Sequence, residues 1–130
     1  MDFLRILIIV VLLSLIADFA FGDCNSWCEG KRVSTNVAQF SNGCGPRKIS
    51  TLLHIFVHDS LRKCCDKHDF CYGDCKKTKV KCDKEFYTCG QKVSKSWLKR
   101  IYTEIMQEIV QLLGCYHYIK AQRARCICEQ

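Results

Sequence analysis

The chain has 130 residues, 12 cysteines, a single proline and a formal net charge of +7. One small domain is the expectation for that length, and the sequence carries neither internal repeats nor a nucleotide-binding glycine loop. The basic balance admits nucleic acid, heparin-like polymers or anionic lipid as partners, and charge alone does not choose among them.

Residues 1–22 are expected to be a secretory signal peptide. Arg5 supplies the positive start, Ile6 to Ile16 is almost wholly apolar, and Ala20-Phe21-Gly22 places small residues at the −3 and −1 positions. The segment is too short to span a membrane, and no stop-transfer charge pattern follows it. Cleavage after Gly22 would leave one domain, Asp23–Gln130, of 108 residues; losing Arg5, Asp2 and Asp18 brings its net charge to +8. All 12 cysteines lie in this mature part. Cys64, Cys65, His68 and Cys71 invite zinc, but an export route leads to an oxidising compartment, where six disulfides are the expectation. Each contributes about 2–4 kcal/mol to a domain too short for a large core.

Asp23 to Ser41 has little periodicity and reads as an irregular arm stapled to the body through Cys24 and Cys28. Asn42-Gly43-Cys44-Gly45-Pro46 is a turn signal, and no N-glycosylation acceptor is present. The apolar run Leu52–Val57 is either a buried loop or short strand, or a rim that meets a membrane or acyl chain. His54 and His58 have no partner pattern and read as ordinary histidines. A first helix is expected from about Asp59 to Cys75. Lys76–Lys81, with four lysines, reads as a solvated connection to a second helix that begins near Lys81 and that Gly90 ends or kinks. From Ser96 the pattern is helical again. Trp97, Ile101, Ile105, Ile109 and Leu112–Leu113 form one stripe, expected to be core, and Gly114 is the expected stop. Tyr116–Gln130 would be a short basic tail tied down by Cys126 and Cys128.

The chemistry concentrates between Cys64 and Cys89. Cys64, His68 and Cys71 fall at i, i+4 and i+7, on one helix face. Cys82 and Cys89 repeat the seven-residue step. Paired crosswise, Cys64 with Cys89 and Cys71 with Cys82, the two pairs share one residue-number sum. Two antiparallel helices bridged at two levels, about 10.5 Å apart along the axis, produce such a constant sum. His68 then faces the partner helix between the bridges, nearly level with Asp83. A histidine is set against a carboxylate across a stapled pair.

Cys-Cys-x-x-His-Asp-x-Cys-Tyr at 64–72 resembles the active-site helix of secreted phospholipases A2. Cys44-Gly45-Pro46, the compact Cys71–Cys82 connection, Cys82-Asp83-x-x-Phe86-x-x-Cys89, Leu113-Gly114-Cys115 and Gln122–Cys128 look most like the group XII branch. The resemblance implies a mainly α, disulfide-rich secreted domain built on two antiparallel helices, with a calcium-binding loop. It implies an extracellular hydrolase that splits the sn-2 ester of glycerophospholipids into a fatty acid and a lysophospholipid. His68 would be the general base and Asp83 its orienting acid. Asp69 would bind Ca²⁺ with backbone carbonyls of the Gly43–Thr51 loop, those of Pro46, Lys48 and Ser50, and Tyr72 would support the aspartate by hydrogen bonding. A monomer acting on a phospholipid surface and not on nucleic acid is the expected setting, and the +8 charge adds a preference for anionic lipid.

One feature departs from the family pattern. The stretch Gly45–Thr51 has no glycine beyond its first residue and carries Arg47 and Lys48, which points to weak calcium affinity. A phospholipase-like binding protein or toxin with little turnover is therefore the competing reading. A small disulfide-rich ligand with no lipid role is a third.

Overall fold

The computed structural model describes residues 6–11, 13, 24, 26–44 and 59–130. Among the described residues from Cys24 onward lie three helices and a two-stranded sheet: β1 (Lys31–Ser34), α1 (Asp59–Tyr72), α2 (Lys79–Val93), α3 (Trp97–Arg125) and β2 (Cys126–Glu129). The fold is thus mainly helical and disulfide-rich, as expected. The expected calcium-loop residues Pro46, Lys48 and Ser50 lie outside the described residues, as do Leu52–Val57, His54 and His58.

α1 buries Leu61, Cys64, Cys65, His68, Cys71 and Tyr72, the 3.6-residue face that its cysteines mark. It stops at Tyr72, short of the expected Cys75, because a side chain from α3 takes over its terminal carbonyls. Gln122 Nε2 donates to the carbonyls of Tyr72 at 2.6 Å and Asp74 at 2.9 Å, which satisfies acceptors that a helix end leaves without partners. α2 begins at Lys79, ahead of the expected Lys81, because Thr78 is a true N-cap. Its backbone is extended and its hydroxyl accepts the Lys81 N–H at 3.3 Å. Ser96 caps α3 in the same way.

Neither internal glycine stops its helix. α2 runs through Gly90 to Val93, and α3 runs through Gly114 to Arg125. A Cβ on Gly90 would lie 2.4 Å from Thr103 Cγ2, and one on Gly114 would lie 2.5 Å from Tyr72 Oη. Both glycines mark close helix approaches, at a helix-propensity cost of about 1 kcal/mol each relative to alanine. The expected basic tail is accordingly the last turns of α3 followed by β2. β2 pairs antiparallel with β1, from Lys31 opposite Glu129 to Ser34 opposite Cys126, so the N-terminal arm is partly a strand.

Six disulfides hold these elements. Cys64–Cys89 and Cys71–Cys82 bridge α1 to α2 as the residue sums required. Cys24–Cys115, Cys28–Cys128, Cys44–Cys65 and Cys75–Cys126 complete the set. One core cluster comprises Cys44, Leu61, Cys64, Cys65, Phe86 and Met106, and another Cys71, Tyr72, Cys82 and Tyr118.

The stripe on α3 is not core. Trp97 is 70% exposed and Leu113 67%, and Ile101, Ile105, Ile109 and Leu112 are exposed with them. The buried arc is the opposite one: Thr103, Met106, Gln107, Gly114, Tyr118 and Gln122. Small and polar residues win the interior for two reasons. Close helix approach needs little side-chain volume at Thr103 and Gly114. The end of α1 and the connection after it need hydrogen bonds: Gln122 serves the first, and Tyr118 the second by donating to the Lys77 carbonyl at 2.9 Å. Arg32 of β1 locks both, reaching Tyr118 Oη at 2.5 Å and Gln122 Oε1 at 2.9 Å. No helix among the described residues is long and apolar enough to cross a membrane.

Candidate active site

The two inter-helix disulfides hold α1 and α2 in a register that brings His68 and Asp83 together. His68 Nε2 lies 2.7 Å from Asp83 Oδ1, and both residues are buried. A carboxylate can only accept, so Nε2 carries the proton, and in the neutral ring the lone pair is on Nδ1. The imidazole is clamped between two rings, with Tyr72 at 4.1 Å and Phe86 at 5.1 Å between centroids. Its orientation is fixed by packing as well as by the hydrogen bond.

Asp83 is fully engaged. Oδ1 also accepts from Tyr72 Oη at 2.6 Å, and Oδ2 accepts from Lys79 Nζ at 2.6 Å. Burial by itself would push its pKa up, but the hydrogen bonds from His68, Lys79 and Tyr72 and the Lys79 charge outweigh it and hold Asp83 below the usual carboxylate range. Burial and the neighbouring Asp83 charge drive the Tyr72 phenol far above its ordinary value, so it remains a donor. The aspartate that Tyr72 supports is thus Asp83.

Asp69 follows His68 on α1 and turns toward residues 41 and 42. Its Oδ2 accepts from Ser41 Oγ and from the Asn42 backbone N–H, each at 3.0 Å. Burial raises its pKa, while the hydrogen bonds from Ser41 and Asn42 oppose the rise. The segment is laid along α1 by Gln39, whose Nε2 donates to the Phe70 carbonyl at 2.5 Å, and by Cys44–Cys65. Gly43 turns it with a left-handed φ of 77°, which a side chain would strain. Asp69 therefore stands at the start of the stretch expected to bind calcium. A partly desolvated carboxylate is a fitting ligand for a hard cation, which would reverse the cost of its ionisation. Among the described residues no group of three or more His, Cys, Asp or Glu side chains is placed to hold a metal. The carbonyls expected to join Asp69, those of Pro46, Lys48 and Ser50, lie outside the described residues.

A family model described as Group XII secretory phospholipase A2 precursor matches residues 13–130. The chain belongs to that family. It is 37% identical over 99 residues to the Group XIIA secretory phospholipase A2 of Homo sapiens, which covers 68% of this chain and 52% of the relative. The Mus musculus protein of the same name gives 37% over 99 residues, covering 68% and 51%. A third relative, the Group XIIB secretory phospholipase A2-like protein of Mus musculus, is 32% identical over 113 residues, covering 72% and 55%. The chain thus spans about half the length of the curated relatives it matches. No solved structure matches it.

Among the described residues, the sequence-derived set of His68, Asp83, Tyr72 and Asp69 converges on one end of the α1–α2 pair. Lys79 was not foreseen, because it sits in a lysine-rich stretch that reads as a solvated linker. The readable signal was its i, i+4 spacing to Asp83. Its other contact, a hydrogen bond to the Gln111 carbonyl of α3 at 3.2 Å, left no trace in local sequence.

Proposed function

We propose that this group XII family member is a secreted, extracellular, calcium-dependent phospholipase A2 that hydrolyses the sn-2 ester of glycerophospholipids. The observation that supports it most is the buried His68–Asp83 pair, joined through Nε2, with Asp69 on the adjacent position of the same helix. Nδ1 removes a proton from a water molecule as its oxygen attacks the sn-2 carbonyl. Asp83 stabilises the imidazolium that forms and keeps the ring in its tautomer. The same proton then passes to the glycerol oxygen as the ester bond breaks, releasing the fatty acid and the lysophospholipid. Asp69 would hold the calcium ion, with carbonyls of Pro46, Lys48 and Ser50 as its expected companions. When bound, calcium supplies positive charge for the substrate phosphate and the developing oxyanion.

The membrane is the natural place of work for a monomer of this kind. The outward face of α3 offers Trp97, Ile101, Ile105, Ile109 and Leu113 to solvent, with Lys95, Lys99, Arg100, Lys120 and Arg123 exposed around it and the exposed Glu104 and Glu108 beside the stripe. An apolar helix face whose neighbouring charges are net positive suits adsorption to anionic lipid.

A second reading is a phospholipase-like protein with little turnover. The glycine-poor Gly45–Thr51 stretch favours it, as does the similarity to a relative named phospholipase A2-like. Hydrolysis of a fluorescent phospholipid at millimolar calcium, with and without chelator, separates the two. Calcium-dependent release of the sn-2 fatty acid is expected. An inert protein at millimolar calcium would overturn the hydrolase and leave the binding protein.

A further inference from the structure

We propose that Lys79 is a positioning residue of the histidine–aspartate pair, anchoring Oδ2 of Asp83 so that Oδ1 stays aligned with His68; this rests on the hydrolase reading above. Lysine is almost never buried unless it is paired, yet Lys79 is 7% exposed at the first position of α2. Its Nζ lies 2.6 Å from Asp83 Oδ2 and 3.2 Å from the Gln111 carbonyl. The ammonium is held from both sides, by the carboxylate it serves and by the backbone of α3.

The need for such an anchor follows from how Asp83 is loaded. Oδ1 accepts both His68 Nε2 and Tyr72 Oη. Torsions about the Cβ–Cγ bond of aspartate are broad, so contacts on one oxygen leave the carboxylate plane free to pivot. A charge-assisted bond on the other oxygen removes that freedom. Lys79 also keeps the buried carboxylate from standing as an uncompensated charge.

α3 is shaped to leave room for this contact. A Cβ on Gly114 would lie 2.9 Å from Lys79 Cε, 3.3 Å from Lys79 Nζ and 2.5 Å from Tyr72 Oη. Only glycine lets α3 come close enough to present the Gln111 carbonyl while Lys79 and Tyr72 both reach Asp83. A surface ion pair would need none of this.

The test compares wild type, Lys79→Met, Lys79→Gln and His68→Gln, each full-length and with its disulfides formed. The first readout is the ¹H–¹⁵N NMR signal of the His68 Nε2–H, identified by its loss in His68→Gln. In Lys79→Met this proton should move upfield and broaden, and in Lys79→Gln, which keeps a donor without the charge, the change should be intermediate. The Gln variant carries the test if Met at this position does not fold. The second readout is turnover on a monomeric short-chain phospholipid: kcat should fall by about 10–100-fold, with KM within about twofold of wild type. An Nε2–H signal that stays in place in both variants, with kcat unchanged, would reduce Lys79 to a structural ion pair. If the wild type does not turn over, the hydrolase reading fails, and the NMR signal still decides whether Lys79 positions the pair.

Discussion

Gly114→Ala sets two effects of opposite sign against each other. Position 114 is mid-helix in α3, so alanine should stabilise the helix by about 1 kcal/mol on propensity alone. The added methyl would sit 2.5 Å from Tyr72 Oη and 2.9 Å from Lys79 Cε, and something must move by about an ångström. Both atoms are side-chain ends, which ordinarily yield cheaply, but here both side chains are tied to Asp83, through Tyr72 Oη and Lys79 Nζ. Overpacking of this kind costs about 1–3 kcal/mol, and loosening a hydrogen bond to a charged group adds about 1.5–3 kcal/mol. The net expectation is a destabilisation of about 2–4 kcal/mol, read as a fall in Tm of roughly 10–20 °C for a domain of this size. Differential scanning calorimetry of wild type, Gly114→Ala, Tyr72→Phe and the double variant measures it. Removing the Tyr72 hydroxyl opens the tightest contact, so Gly114→Ala should cost less in the Tyr72→Phe background. If Gly114→Ala is as stable as wild type or more so, the glycine is not there for the approach of α3 to Asp83, and that part of the reasoning fails.

Other expectations follow from the same geometry. Asp83 titrates lower in the folded chain than its ordinary value of 3.8; its contribution to stability is therefore present above about pH 4 and is lost as pH falls through the folded value. Urea melts of wild type and Asp83→Asn should show a stability gap at pH 7 that narrows below about pH 4, and a gap independent of pH would refute the assignment. Calcium titration should show binding lost in Asp69→Lys and largely kept in His68→Gln and Asp83→Asn; retained binding in Asp69→Lys would remove Asp69 from the metal site. Trp97 fluorescence, read in a Trp27→Phe background, should shift blue on anionic vesicles, more weakly on zwitterionic ones and less as salt rises. An unchanged Trp97 spectrum on anionic vesicles would mean that the α3 face is not what meets the lipid.

What could be read from the sequence followed from strict local geometry. The rise per residue of a helix fixes which cysteines can bridge two antiparallel helices. The pairing of Cys64 with Cys89 and Cys71 with Cys82, and with it the meeting of His68 and Asp83, was legible for that reason. What could not be read depends on contacts between distant segments. Gly90 and Gly114 look like helix stops in isolation and prove to be points where helices touch. The apolar stripe of α3 looks like core, but its inner arc is set by Gln122 and Tyr118, whose partners lie some 40 to 50 residues away at the end of α1 and the turn after it. The same is true of β1, whose partner strand is at the other end of the chain, and of Lys79. Its lysine-rich neighbours hid a buried charge that only the approach of α3 explains.

The most direct test of the account is the rate of sn-2 ester hydrolysis by wild type and His68→Gln at millimolar calcium. The disulfides that flank position 68 should keep the fold of the variant intact, as circular dichroism and disulfide mapping would verify. The account predicts calcium-dependent fatty-acid release by the wild type and none above background by His68→Gln. Equal rates in the two proteins would contradict it.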